Sequence, residues 1–153
     1  MAGPNYAGNI IVNLANLPDF LRKPILRKRM MEFFSLSEPE KKEIINNALE
    51  AGPTIPFPNF SKLFKTWLKI LTTLSNEERE GLFLAYITEV SNSPQKLITF
   101  NLDGILEIFL TLEENEKEII SSTIKKLINN LDEERKRRIM IIIPDNAKKQ
   151  LKF

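Results

Sequence analysis

Leu36-Ser37-Glu38-Pro39-Glu40, followed by Ile44 and Ile45, decides the fold, because its pattern returns. It recurs as Leu74-Ser75-Asn76-Glu77-Glu78 with Leu82 and Phe83, and as Leu112-Glu113-Glu114-Asn115-Glu116 with Ile119 and Ile120, each thirty-eight positions on. Half that step recovers Leu17-Pro18-Asp19 with Ile25 and Leu26, and Leu131-Asp132-Glu133-Glu134 with Ile139. The units from 55 and 93 replace the leucine with a proline-bearing turn. Their apolar rows still align: Phe64, Trp67, Leu68, Ile70 and Leu71 match Leu102, Ile105, Leu106, Ile108 and Phe109. Seven starts therefore share one grid.

Each start carries helix-entry chemistry. Ser37 with Glu40 and Ser75 with Glu78 have capping-box spacing, and Thr111 with Glu114 repeats it. Asp132 can cap the last long helix, and the acids beside it suit the positive end of the helix dipole. Pro58 and Pro94 also suit helix starts. No alternating run of five residues or more appears beyond the first sixteen residues. The expected fold is all-α: short amphipathic helices in a helix-pair repeat of about 38 residues. Helices of this length need stacking to bury their apolar stripes, which gives a small armadillo- or HEAT-like right-handed superhelix. A compact irregular bundle is the alternative. Residues 1–16 are expected to form an extended arm and residues 17–153 a single domain.

Helical spacing also sorts the faces. Leu26, Met30, Phe33 and Phe34 form the expected buried arc of the first unit, opposite Lys28, Arg29 and Glu32. Lys62, Lys65 and Lys69 share one face of the helix near 60–71, away from Phe64, Trp67, Leu68 and Leu71. In the unit from 74, Leu82, Phe83, Tyr86, Ile87 and Val90 form the stripe, leaving Glu77, Glu80 and Glu89 for solvent.

Composition narrows the function. The chain has 153 residues, 42% hydrophobic and 27% charged, with no histidine and no cysteine. Zinc and iron–sulfur sites, thiol chemistry, disulfide frameworks and imidazole catalysis are thereby excluded. The acidic pairs Glu77–Glu78, Glu113–Glu114 and Glu133–Glu134 read as first-turn helix charges rather than catalytic or metal-binding pairs. The expectation is no enzyme activity, no cofactor and no metal site. Met1 to Asn16 carries no charge and no secretory pattern, and Ile139–Ile143 is too short to span a bilayer, so a cytoplasmic location is expected.

The charge alternates by unit. Units from 17, 55, 93 and 131 total +8, and units from 36, 74 and 112 total −6, on a chain of net +2. Alternate helices of a stacked repeat lie in opposite layers, so one layer should be basic. Its expected contact residues are Lys28, Arg29, Lys62, Lys65 and Lys69, docking a protein partner; a nucleic acid or another anionic surface is the alternative. Arg135-Lys136-Arg137-Arg138 reads as a solvated face with local ion pairs. The all-apolar run Ile139 to Ile143 implies cover on more than one side, from the terminal segment with Ala147, Leu151 and Phe153 or from a second copy. Met140, Ile141 and Phe153 are the expected self-association residues of a homodimer.

The run Ile128-Asn129-Asn130-Leu131-Asp132-Glu133-Glu134-Arg135, then Ile139 and Pro144-Asp145 before Leu151, resembles the short helical repeats of two families. These are the cytosolic N-terminal domain of bacterial magnesium channels and the middle region of flagellar motor-switch proteins. The resemblance covers roughly residues 74–153 and implies a superhelical regulatory or scaffolding module. No transmembrane part follows here and the 55–73 unit is unlike either family, so no functional residue is carried over.

Overall fold

The computed structural model describes the backbone of residues 6–153 and the side chains from residue 8 onward. Ten α-helices and no strand occupy the described residues: α1 Tyr6–Ala15, α2 Asp19–Phe33, α3 Glu38–Ala51, α4 Phe57–Thr73, α5 Asn76–Asn92, α6 Gln95–Ile98, α7 Leu102–Leu110, α8 Glu114–Asn129, α9 Glu133–Ile142 and α10 Asp145–Gln150. Starts at residues 19, 38, 57, 76, 95, 114 and 133 put seven helices nineteen residues apart.

The caps account for most of these starts. The amides of Glu40 and Glu78 donate to Ser37 Oγ at 3.4 Å and Ser75 Oγ at 3.1 Å, and the serine amides donate back to the glutamates at 3.3 and 3.2 Å. Hydrogen bonds from Ser37 hold the Glu40 carboxyl below its ordinary value. Asp132 accepts from the Arg135 amide at 2.8 Å. The third expected box is displaced. Thr111 ends α7, its hydroxyl donating to Ile108 O at 2.6 Å, and α8 starts from Glu113, whose amide donates to Glu116 at 3.0 Å. Thr111 is already committed to the outgoing helix and cannot begin the next.

Two further expectations are corrected. Within the expected extended arm, residues 6–15 form α1, and residues 1–5 lie outside the described residues. The alternation Ile10, Val12, Leu14 suggested an extended chain, but Ile10, Ile11, Leu14 and Ala15 also have helical spacing. Leu14 and Ala15 are buried, and α1 packs against α2, α3 and α4. The unit from 93 is broken into α6 and α7, because Asn101 caps a new helix by accepting from the Gly104 amide at 2.9 Å. The Phe57 ring fills the place of a side chain at Gly104.

Packing runs mainly between helices two units apart. α1, α3, α5 and α8 form one continuous series of contacts, and α2, α4 and α7 another. Polar side chains tie the series: Arg27 to Thr73 at 2.9 Å, Asn46 to Glu89, Arg79 to Thr123 at 3.1 Å, and Lys126 to Glu80 at 2.5 Å. Asn16, just before α2, bonds Asn59 near the start of α4, and Arg27 bonds Thr73 at its end, so α2 and α4 run in the same direction. Arg79–Thr123 and Glu80–Lys126 join α5 to α8 side by side. The core between the series contains Ile45, Ile70, Leu71 and Ile120, each exposed by 1% or less.

Two buried arginines, Arg22 and Arg79, bridge turns between helices. Arg22 donates through Nε to Leu14 O at 3.1 Å, through Nη2 to Leu17 O, and through Nη1 to Asp19 at 2.5 Å. Arg79 reproduces this three units later. It donates to Leu71 O at 3.3 Å, Leu74 O at 3.0 Å and Asn76 Oδ1, and adds Thr123 Oγ1 at 3.1 Å. Both reach the carbonyls eight and five residues back, at the negative end of the preceding helix, where a guanidinium satisfies acceptors that have lost their helical donors. Arg79→Leu should therefore destabilise the protein by about 2–4 kcal/mol, since two or more buried carbonyls lose a charged donor. The exposed Arg27→Leu should cost under about 1 kcal/mol. Urea unfolding of the two variants, followed by circular dichroism, makes the comparison.

Candidate functional site

The five cations of the expected basic stripe divide between α2 and α4, neighbours in one packing series. Their electrostatic states differ. Arg29 is paired with Glu32 on its own helix at 3.2 Å, and Lys69 reaches Glu116 on α8 at 3.7 Å. Lys28, Lys62 and Lys65 form no ion pair among the described residues. The stripe is thus partly neutralised from inside the fold, and its free charge lies at these three lysines.

The α2 helix also carries exposed apolar surface. Phe20 is 76% exposed, and Leu21, Ile25 and Met31 are also exposed on α2. They stand among Lys23, Arg27 and Lys28, so one fifteen-residue helix presents both greasy and cationic side chains to solvent. The buried arc of this helix is Leu26, Met30 and Phe33, as its spacing requires, with Phe34 half-buried.

The last residues of the chain touch α8. Lys125 Nζ on α8 donates to Lys152 O at 3.0 Å and lies 6.0 Å from the centre of the Phe153 ring. Of the three expected self-association residues, Met140 packs against the core, Phe153 is 38% exposed and Ile141 is 74% exposed. Within the basic run, Arg135 pairs with Asp132 and Arg138 with Glu134, both on the same helix or at its cap.

Glu89 overturns one assignment. It was expected to face solvent and is buried at 8%, accepting from the Asn46 amide, whose oxygen in turn accepts from Lys96 Nζ. Spacing on α5 alone could not reveal this, because α3 and α6 both close over that side of the helix.

An apolar cavity of about 460 Å³ lies between the helix series. Aromatic rings form its spine. Trp67 meets Phe83 and Tyr86 edge-on, each at 5.5 Å between ring centres, and leans on Phe64 at 5.7 Å. Ile105, Leu106 and Ile124 complete this part of the wall. Arg29 is the one charged residue among the lining side chains. Neither the Tyr86 hydroxyl nor the Trp67 indole N–H has a hydrogen-bond partner among the described residues. Burial pushes the Tyr86 phenol up to about 12, so it remains a neutral donor near neutral pH.

A second, polar cleft of about 470 Å³ runs along α5 and α8 between Asn76, Glu80, Ser122 and Lys126. Its Glu80–Lys126 pair bridges the two helices at 2.5 Å. Among the described residues no group of three acidic side chains is placed to hold a metal ion. No helix among the described residues is long and apolar enough to cross a membrane.

No family model matches the chain, and no curated protein or solved structure is significantly similar to it.

The Tyr86 phenol makes stability depend on pH in one direction. Its folded value lies above the ordinary 10.0, so the neutral phenol's contribution is complete below about pH 10 and is lost as pH rises toward 12. The urea midpoint of the native protein should therefore fall more between about pH 9 and about pH 11.5 than that of Tyr86→Phe. Parallel declines would show that this phenol is not held away from water.

Proposed function

We propose that the protein is a non-catalytic interaction module of the cytoplasm, a small right-handed helical superhelix whose α2–α4 layer docks an acidic segment of a partner protein. One observation carries the reading. Phe20, Ile25 and Met31 are exposed on α2 beside Lys23 and Lys28, with the unpaired Lys62 and Lys65 on the neighbouring α4. Exposed apolar side chains ringed by uncompensated cations mark surfaces that are covered in a complex. The apolar groups supply burial, and the cations select acidic partners and speed encounter.

The parallel stacking of α2 and α4 supports a superhelical arrangement, as does the nineteen-residue spacing of helix starts. The resemblance to magnesium-channel and motor-switch repeats supports a regulatory or scaffolding role. A second reading, docking on an anionic surface such as nucleic acid or acidic lipid, draws on the same mixture of Phe20 with cations along one helix.

Charge reversal separates them. Recovery from native lysate should be compared for the wild type, a Lys28→Glu/Lys62→Glu/Lys65→Glu variant and Phe20→Ser. One protein species lost with both variants is the expected outcome. Nuclease-sensitive nucleic acid, or co-sedimentation with phosphatidylserine vesicles that weakens steeply with salt, would establish the second reading. Identical recoveries from all three baits would refute a docking role for this layer.

A further inference from the structure

We infer that the cavity around Trp67 and Tyr86 binds one uncharged hydrocarbon molecule bearing an acceptor oxygen, such as a ketone, ether or quinone, with that oxygen hydrogen-bonded to the Tyr86 hydroxyl. This site shares Arg29 and the inner faces of α2 and α4 with the basic layer, but its ligand chemistry requires nothing of the docking reading.

Three observations set the ligand chemistry. The first is size. A volume of about 460 Å³ falls within the range of small-molecule pockets and is roughly three times that of an engineered cavity that takes up benzene. The second is the wall: Trp67, Phe64 and Phe83, with Ile105, Leu106 and Ile124, offer dispersion contacts and no competing charge. The third is the polar handle. A tyrosine hydroxyl and a tryptophan N–H on rings in edge contact both lack hydrogen-bond partners among the described residues, and both can donate. No buried side-chain donor among the described residues is left unmatched, so these two are accessible atoms with donor capacity to spare, and an oxygen that only accepts is the complementary group.

Charge complementarity excludes the ionic alternatives. A carboxylate in the cavity would lose its hydration, and the nearest cation among the lining side chains is Arg29, already paired with Glu32. An ammonium would find no anion, since no carboxylate lines the cavity. The phenol remains protonated and donates without a change of charge.

The chain contains a single tryptophan, and it stands in the wall, so its fluorescence reports occupancy directly. The experiment titrates the full chain with 2-decanone and, separately, with decanoate, reading Trp67 emission and isothermal heat. A saturable response to 2-decanone at one equivalent is expected, with decanoate at least about tenfold weaker. Tyr86→Phe should weaken 2-decanone by roughly fivefold, the loss of one hydrogen bond, and leave the decanoate response unchanged. Ile124→Phe and Leu106→Phe each shrink the cavity and should abolish saturation; either suffices if its helical circular dichroism is retained. No saturable response to 2-decanone up to its solubility limit would overturn the proposal. So would tighter binding of decanoate, or full affinity in Tyr86→Phe.

Discussion

The structure depends on how each helix ends and the next begins. Arg22 and Arg79 show the device most fully: a buried guanidinium donates to the last carbonyls of the preceding helix and to the acceptor at the start of its own. A desolvated guanidinium is costly unless its donors are filled and a negative potential surrounds it. The C-terminal end of the preceding helix supplies both conditions. The turn is thereby fixed in direction, not merely in length. Adjacent helices are folded back so that the helix two units along meets the first in parallel.

Lysine makes a weaker version at equivalent positions. Lys41 pairs with Glu38 at 3.6 Å beside the Phe33 ring, and Lys117 pairs with Glu114 at 2.7 Å. An ammonium has neither the reach nor the fork of a guanidinium, so it stays with the cap of its own helix and leaves the previous carbonyls to other partners. The two units without an opening leucine have Phe60 and Ile98 at this position. There aromatic packing takes the cation's place, with the Phe60 ring against both Phe57 and Phe100. The cavity draws its lining from every unit of the chain, with Trp67 in one of these two and Tyr86 in the unit that holds Arg79.

The alternating charge of the helices acquires a structural meaning from the same stacking. Stacked neighbours bring Glu80 against Lys126, and Lys69 crosses to Glu116 on the opposite series. The first pair joins neighbours within one series, and only the second draws a cation of the basic units to an acid of the acidic ones. The remainder, concentrated on α2 and on the first half of α4, lies beside exposed phenylalanine and methionine side chains rather than beside acids.

Sequence alone determined the all-helical class, because capping signals and apolar pairs at a fixed interval are local and need no partner to be recognised. It also placed the helix starts, and it marked Leu82, Phe83 and Val90 as core. A further signal was present and unused: a basic residue five positions after each opening leucine, at Arg22, Lys41, Arg79, Lys117 and Lys136. Only the tertiary structure decided which of those cations are buried, since that depends on whether the preceding helix presents free carbonyls. It alone decided that residues 6–15 form a helix, where two apolar spacings coexist and the packed neighbours select one. The burial of Glu89 under α3 and α6, and the pairing of Lys69 with Glu116, likewise join residues distant in sequence. The cavity is the clearest case, for a volume between helices is a property of their packing, and no single stretch of chain encodes it.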